Sequence, residues 1–275
     1  MAKKAPVWEI LVERGIVEDR KSAESWVMAG KVLADGVRID KPGQPVPLSA
    51  DIVVKGIDQK YVGKGGLKLE GALSDLSVDV SGIIAIDAGA STGGFTDCLL
   101  QHGAAKVYAV DVGFGRLAGK LHVDPRVVPM EKVNIGDETL EKLDPTPTLA
   151  TVDLSYLSLK KAIPILAKIL HGRGDMICLV KPLFEVPDSD MRRTGVIDDP
   201  DVYRELLKDL AGFVEELGYR AAGITYSHVT GNKGAREFFI RVSLDPSLDR
   251  LAEDILDAQI DVAVQAVMDL EVFRK

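Results

Sequence analysis

The sequence has few cysteines, few aromatic residues and no long apolar run among its 275 residues. Cys98 and Cys178 are its two cysteines, too few for a disulfide framework or a zinc site. Both are expected to be buried as small apolar residues in a reducing cytoplasm. No apolar segment approaches the roughly 18 to 20 residues that a membrane-spanning helix needs, and no signal peptide is recognisable after residues 1–6. These absences argue against a membrane protein and against a disulfide-rich scaffold.

The charged residues are unevenly distributed along the chain, although the net charge is −8. Residues 1–68 carry 12 Lys+Arg against 9 Asp+Glu, whereas the remaining residues carry 22 against 33. A mildly basic N-terminal part can offer a local surface for anions even when the whole chain is acidic. Charge therefore permits a nucleic-acid partner without selecting one.

The N-terminal part has the pattern of a small α+β unit. Apolar residues at helical spacing predict two helices within Val7–Lys31, with a break at Gly15 and Ser22 as an N-cap of the second helix. The Asp35-Gly36 dipeptide between apolar residues predicts a hairpin, and Asp51–Lys55 is predicted to be a further strand. A unit of about 55 residues is close to the lower size limit of an independent domain.

The rest of the chain alternates apolar strands with amphipathic helices. Strands are predicted at Ile83–Asp87, Lys106–Asp111, Leu149–Asp153, Met176–Lys181, Ala221–Tyr226 and Glu237–Val242. This alternation predicts a Rossmann-like, doubly wound and mainly parallel α/β sheet. The predicted boundaries are a domain over residues 1–58, a linker over 59–64, a larger domain over 65–245 and an acidic C-terminal helix within 246–275.

A glycine-rich turn, Asp87-Ala-Gly-Ala-Ser-Thr-Gly-Gly-Phe-Thr96, lies between the first of these strands and a helix. Glycines let the backbone approach a ligand, and a helix N-terminus has free N–H groups; the alternative is a tight turn that binds nothing. The second glycine of the dinucleotide pattern G-x-G-x-x-G is absent, and a carboxylate at Asp87 suits an ammonium group or a hydroxyl better than a pyrophosphate. S-adenosylmethionine is therefore the predicted cofactor, held by Asp87, Gly89, Ser91, Thr92, Gly93, Gly94 and Phe95, with Asp111 accepting the ribose hydroxyls.

Charged side chains end four of the predicted strands: Asp87, Asp111, Asp153 and Lys181. A single residue of this kind is as often solvated surface as part of a site. In open α/β sheets, however, ligands bind outside the carboxyl ends of the strands. Four such placements on successive strands favour a common site at that edge.

Four residues resemble the Lys-Asp-Lys-Glu tetrad of ribose 2′-O-methyltransferases: Lys68, Asp153, Lys181 and Glu237. Residues 7–243 are similar to the TlyA type of these enzymes, often labelled haemolysin A, in which an FtsJ-like methyltransferase domain follows an RNA-binding domain first seen in ribosomal protein S-four. The most specific stretch is Asp87–Leu99. Gly63-Lys64 replaces the Ser-Arg usual in that family, and residues 6–9 replace its Arg-Leu-Asp opening, so the RNA-facing part departs from the pattern.

The resemblance implies S-adenosylmethionine-dependent 2′-O-methylation of a ribose, with cytidine in ribosomal RNA as the expected target. A ribose hydroxyl is a poor nucleophile, so the protein must orient it, remove its proton and stabilise the developing alkoxide. Lys181 would accept the proton as a neutral amine, which burial and the nearby Lys68 would favour. Asp153 would orient Lys181 and the hydroxyl, Glu237 would position Lys68, and no metal is needed. Asn134 lies where related enzymes contact adenine; without the resemblance, Lys68 and Glu237 would be interpreted as an ordinary surface ion pair.

RNA contacts are expected outside the tetrad. Basic residues of the N-terminal part are predicted to form a face towards phosphates: Arg14, Arg20, Lys21, Lys31, Arg38 and Lys41. Glu185–Gly195, which includes Arg192 and Arg193, is predicted to be a loop over the site that either contacts RNA phosphates or is merely solvated. The four histidines have no metal-like spacing and are interpreted as structural or exposed.

Three functions remain open from the sequence. The first is a cytoplasmic methyltransferase of structured ribosomal RNA, the second a methyltransferase fold acting on a small molecule, and the third a non-enzymatic RNA-binding or pore-forming protein. A pore-forming protein should have a strongly amphipathic basic or apolar segment, whereas the C-terminal helix is acidic. An intact tetrad and cofactor turn favour an enzyme. The ribosomal subunit, the nucleotide and the oligomeric state stay open.

Overall fold

The computed structural model describes residues 3–57, 59–186, 191, 197–231 and 234–270. We call residues 3–57 the head and the described residues from 59 to 270 the body. The head contains helices α1 (Val7–Glu13) and α2 (Arg20–Met28) with short strands β1 (Lys4–Pro6), β2 (Val32–Ala34), β3 (Val37–Arg38), β4 (Pro45–Pro47) and β5 (Ile52–Val54).

The head folds around an apolar core of its own, built from both helices and the strands. Strands β3, β2 and β5 form an antiparallel sheet, and β1 pairs with β4. The predicted helix break is confirmed, since α1 ends just before Gly15, whose φ is +64°. The predicted N-cap is wrong. Ser22 lies inside α2, where its free N–H donates to the carboxylate of the true N-cap, Asp19, at 2.7 Å.

The body contains a larger set of elements in alternating order. They are α3 (Gly65–Asp75), β6 (Ile84–Ala88), α4 (Gly94–Gln101), β7 (Lys106–Asp111), α5 (Gly119–His122), β8 (Val127–Glu131), a 3-10 helix (Glu138–Lys142), β9 (Leu149–Val152), α6 (Leu159–Ile169), β10 (Asp175–Val180), α7 (Pro182–Glu185), α8 (Pro200–Glu216), β11 (Arg220–Tyr226), β12 (Phe238–Ser243) and α9 (Glu253–Asp269).

The predicted doubly wound sheet is confirmed. Its strands lie in the order β11-β12-β10-β9-β6-β7-β8. Strand β12 pairs antiparallel with both β10 and β11, and the other five strands are parallel to one another. Successive side chains of a strand point to opposite faces, so Ile86 packs with α6, α8 and α9 while Ala85 packs with α3 and α4. Both faces are therefore covered by helices, as a mainly parallel sheet requires.

Strand β8 and the start of the C-terminal helix differ from the sequence prediction. Strand β8 was not predicted because Pro129 interrupts its apolar run, and the structure places it at the sheet edge, where proline is tolerated. The C-terminal helix, predicted within 246–275, begins at Glu253, and the preceding residues include a turn in which Asp245 accepts the Ser247 N–H. Helix α9 packs against β11 and α8.

Two backbone hydrogen bonds connect the head to the body. The Lys64 N–H donates to the Arg14 carbonyl at 2.8 Å, and the Gly119 N–H donates to the Ser49 carbonyl at 2.9 Å. Tyr61, within the predicted linker, is buried in the body's core. Among the described residues, no helix has the length and apolar character needed to cross a membrane.

Candidate active site

A cavity of about 450 Å³ lies at the carboxyl ends of the parallel strands. The glycine-rich turn after β6, the residues that follow β9 and β10, and the start of α3 line it. The head contributes Glu13 and Arg14 to the wall. The fold therefore brings all four tetrad residues to one cavity, as the strand-end placements predict: Lys68, Asp153, Lys181 and Glu237.

Lys68 and Glu237 form a buried ion pair, which we call the sealed pair. The Lys68 ammonium donates to Glu237 Oε2, and each side chain is 6% exposed. Helix α3 carries Lys68, and Glu237 precedes β12 directly. Gly231 leaves room for the Glu237 carboxylate, since a Cβ at that position would lie 2.6 Å from Glu237 Cδ. The interpretation as an ordinary surface ion pair is wrong.

The sealed pair keeps Lys68 charged. Burial lowers the pKa of Lys68, but the Glu237 and Asp153 carboxylates outweigh burial and raise it above its ordinary value. Lys68 is therefore a fixed ammonium that can stabilise negative charge, and it is not a group that gives up its proton.

Lys181 and Asp153 form the second pair, which we call the open pair. Lys181 Nζ lies 2.5 Å from Asp153 Oδ1, and their side chains are 17% and 26% exposed. Lys181 Nζ also donates to Ser155 Oγ at 3.3 Å. Asp153 directly follows β9 and Lys181 directly follows β10, so the parallel pairing of these strands brings the two residues together. A substrate hydroxyl can reach this pair from the cavity.

The glycine-rich turn lies tightly against its neighbours. The N–H groups of Gly89 and Ala90 both donate to the Val110 carbonyl, at 2.9 and 3.0 Å. Gly89 has φ +92° and would place a Cβ 2.9 Å from the Asp153 carbonyl carbon, while a Cβ at Gly93 (φ +93°) would lie 2.8 Å from Leu117 Cδ1. These glycines serve close packing within the protein, and the backbone of the turn still lines the cavity.

Asp111 contacts the turn through its carboxylate. Oδ2 accepts the Ser91 N–H at 2.8 Å and Oδ1 accepts the Gly113 N–H at 2.6 Å. Each carboxylate oxygen has a second lone pair. Asp111 can therefore accept ribose hydroxyls beside Ser91, a residue that lines the cavity.

Asp87 does not face the cavity. It is fully buried, with one oxygen accepting the Thr96 hydroxyl at 2.7 Å and the other the Thr151 hydroxyl at 3.1 Å. Burial raises the pKa of Asp87 to about 7, against the opposing effect of both threonine hydrogen bonds. Asp87 precedes the last residue of β6, so its side chain points into the protein. Asp87 is not among the residues that line the cavity, and its carboxylate connects the turn to α4 and β9.

Asn134 and Arg14, two more predicted contacts, make hydrogen bonds within the protein. Asn134 is exposed and accepts the Gly136 N–H at 2.9 Å in a local turn, and it is not among the residues that line the cavity. Arg14 is buried and donates to the carbonyls of Ala50 at 2.8 Å and Leu48 at 2.5 Å. Arg14 therefore holds the head loop that contacts Gly119, and it is not part of an exposed basic face.

The remaining basic residues of the head are exposed: Arg20, Lys21, Lys31, Arg38 and Lys41. Arg20 is paired with Glu24 and lies 4.7 Å from the centre of the Trp8 ring, and Arg38 is paired with Asp40. Arg192 and Arg193, predicted to lie on a loop over the site, are outside the described residues.

Lys64 and Tyr156 also line the cavity, and neither was predicted to be a catalytic or cofactor-binding residue. Lys64 is half-buried at the N-cap of α3 and faces the tetrad. Tyr156 is 91% exposed at the cavity mouth, adopts φ +66° and lies with its ring centre 5.3 Å from that of Phe184. The signal for Lys64 was its position four residues before Lys68. The exposure of Tyr156 has no signature in the sequence.

The residues present fit S-adenosylmethionine. Its ribose hydroxyls require acceptors, which Asp111 supplies, and its carboxylate requires N–H donors, which the backbone at the start of α4 supplies. Ser91, Thr92, Gly94 and Phe95 line the cavity between these groups and the open pair.

Comparisons with known proteins point to the same chemistry. Residues 61–244 match the family model of FtsJ-like methyltransferases. The chain is 39% identical over 241 residues to the 16S/23S rRNA (cytidine-2′-O)-methyltransferase TlyA of Mycobacterium tuberculosis, covering 87% of this chain and 90% of that protein. It is 37% identical over 232 residues to hemolysin A of Brachyspira hyodysenteriae, covering 84% and 96%.

A solved structure of a similar protein has the same fold. A Streptococcus thermophilus protein described as a hemolysin superposes with a TM-score of 0.78 at 36% identity, covering 97% of this chain and 96% of that one. The resemblance read from the tetrad and the glycine-rich turn is thereby confirmed. The chain is an S-adenosylmethionine-dependent methyltransferase and belongs to the FtsJ-like methyltransferase family.

Proposed function

We propose that this protein methylates the 2′-hydroxyl of a ribose in ribosomal RNA, with a cytidine as the target nucleotide and the cytoplasm as its location. The observation that carries the proposal is the pair of lysine–carboxylate contacts in one cavity, one sealed and one open, beside the cofactor turn. The rRNA activities in the names of the relatives support the same substrate.

The open pair is suited to binding and deprotonating the hydroxyl. Asp153 accepts a hydrogen bond from the hydroxyl and holds Lys181 Nζ 2.5 Å away. When the hydroxyl binds, Lys181 first gives one proton to water, and the amine that results accepts the proton that the hydroxyl loses. Bound S-adenosylmethionine supplies an electrophilic methyl group. The Lys68 ammonium, held by Glu237, stabilises the negative charge that develops on the ribose oxygen.

The cavity mouth favours a nucleotide in a polymer over a small molecule. Tyr156 presents an exposed ring next to Phe184, and its backbone is held in the left-handed region, which a non-glycine residue rarely adopts. Unstacked bases of RNA are bound by stacking on aromatic side chains. The exposed lysines and arginines of the head add contacts to phosphates outside the cavity.

The proposal is tested by transfer of a tritiated methyl group from S-adenosylmethionine to separated 30S and 50S ribosomal subunits that lack the modification. Small hydroxylated molecules serve as alternative acceptors, Lys181→Ala as the inactive control, and Lys161→Ala, at an exposed position on α6, as the matched active control. We expect label in the RNA of at least one subunit. Label found only in small molecules would contradict the proposal and favour a methyltransferase that acts on a small molecule.

A further inference from the structure

Lys64 is a third lysine of the cavity, one helical turn before Lys68. Its backbone N–H donates to the Arg14 carbonyl of the head at 2.8 Å. Its aliphatic stem packs on Gly15, where a Cβ would lie 2.7 Å from Lys64 Cβ and 2.8 Å from Lys64 Cδ. The head therefore fixes both the backbone and the stem of a body residue that faces the tetrad.

The charge of Lys64 is not neutralised by a carboxylate in contact. Lys68 and Lys181 each have such a partner, whereas Lys64 has no ion-pair partner within the ranges that the structure describes. Burial lowers the pKa of Lys64 and the Lys68 charge lowers it further, with Glu237 and Asp153 opposing both. A half-buried cation next to another cation is stabilised by an anion that enters the cavity.

The covalent structure of RNA supplies such an anion. The 2′-hydroxyl and the 3′-phosphate are attached to neighbouring carbons of one ribose, so a site that binds the hydroxyl at the open pair brings the phosphate into the same cavity. Asp153 and Glu237 would repel this phosphate. Its binding therefore requires a cation that is not already paired with a carboxylate.

We infer that Lys64 binds the backbone phosphate on the 3′ side of the methylated ribose, and that the head holds Lys64 in position to do so. The inference rests on the proposed ribose methylation. It makes Lys64 a substrate-binding residue that positions the nucleotide without reading its base.

The test compares Lys64→Ala, Lys64→Arg and Lys60→Ala with the wild-type protein, using ribosomal subunits as substrate over a range of salt concentrations. Lys60 is the matched control, since it lies four residues earlier in the chain, is exposed and pairs with Glu70 outside the cavity. For Lys64→Ala we expect KM for the subunits to rise roughly 10- to 100-fold, as for a lost charged hydrogen bond. The slope of log kcat/KM against log salt should fall by about 0.7 to 0.9, the value for one phosphate contact. Lys64→Arg should keep most of the activity and the wild-type slope, and all three variants should bind S-adenosylmethionine as the wild type does.

Three results would overturn the inference. One is an unchanged salt slope in Lys64→Ala, and another is a loss in Lys64→Arg as large as that in Lys64→Ala, which would indicate a packing role. The third is a parallel loss of S-adenosylmethionine affinity. A wild-type protein that methylates small molecules but neither ribosomal subunit would instead overturn the proposed function, and with it the inference.

Discussion

The sealed pair and the open pair contain the same chemical groups, a lysine ammonium and a carboxylate, but they differ in their access to the cavity. Both side chains of the sealed pair are 6% exposed, whereas those of the open pair are 17% and 26% exposed. The sealed pair connects α3 to the start of β12, two elements far apart in the chain, and the open pair connects the ends of adjacent strands.

This difference in burial indicates that the two pairs have different roles. A buried ion pair that loses one partner leaves an uncompensated charge in the protein interior, so the sealed pair is expected to matter for stability as well as for catalysis. A partly exposed pair can exchange its partner for a substrate hydroxyl at little cost. The open pair is therefore the place where a proton is exchanged, and the sealed pair supplies fixed charge.

Removal of the open-pair lysine should have the largest effect on activity. Lys181→Ala should lower kcat for methyl transfer by about 100- to 10,000-fold, because it removes the group that accepts the proton. S-adenosylmethionine affinity, measured by calorimetry, should stay within a few-fold of the wild type. Lys161→Ala is the matched control, and comparable kcat values in the two variants would remove Lys181 from the mechanism.

Removing the carboxylate of the sealed pair should destabilise the protein more than removing the carboxylate of the open pair. Glu237→Gln should lower the free energy of unfolding by about 3 to 5 kcal/mol, because Lys68 is left charged and buried. Asp153→Asn should lower it by at most about 1 kcal/mol, since its partner remains partly solvated. Urea unfolding of both variants measures the difference, and equal losses would contradict the distinction between sealed and open.

The buried carboxyl of Asp87 differs from both pairs, because within the described residues it contacts two threonine hydroxyls and no lysine or arginine. Its pKa of about 7 lies above that of an unfolded aspartate, so the folded protein binds a proton that the unfolded chain has released. This group therefore lowers stability as pH rises from about 4 to about 7. Asp87→Asn should gain stability relative to the wild type across that window, by about 4 kcal/mol at most.

Unfolding midpoints measured at several pH values check this expectation. Asp249→Asn, which removes an exposed carboxylate, is the control and should follow the wild-type pH profile. A difference between Asp87→Asn and wild type that does not change with pH would show that Asp87 is ionised in the folded protein throughout.

The basic residues of the head should have the smallest individual effects, since their phosphate contacts are solvated. Replacing Lys21, Lys31 and Lys41 together by Gln should raise KM for ribosomal subunits and lower the salt slope by up to about 0.9 for each contact made. kcat should be unchanged, because none of the three lines the cavity. Replacement of Lys142, Lys161 and Lys168, which are exposed on the body, is the matched control. Equal KM values for the head variant and the body variant would show that Lys21, Lys31 and Lys41 do not bind RNA.

The sequence predicted the sheet and most of the cavity edge, because alternation of strands with helices and polar strand ends are local signals. Asp111, Asp153 and Lys181 lie at or directly after strand ends, as predicted. The burial of Asp87 was not predicted because its hydrogen-bond partners, Thr96 and Thr151, belong to other elements, α4 and β9. Arg14 failed because its partners are carbonyls more than 30 residues away, in the loop at 48–50, and long-range contacts of this kind leave no pattern in the local sequence.

The identity of the methylated atom shows whether the open pair acts on a ribose hydroxyl. Ribosomal subunits treated with wild-type protein and labelled S-adenosylmethionine are digested to nucleosides, which are separated and identified by mass spectrometry. We predict that the label is recovered as a 2′-O-methylated nucleoside, with cytidine as its base, and that Lys181→Ala gives none. Recovery of the label on a base would contradict methylation of a ribose hydroxyl, and equal labelling by Lys181→Ala would contradict the role of the open pair.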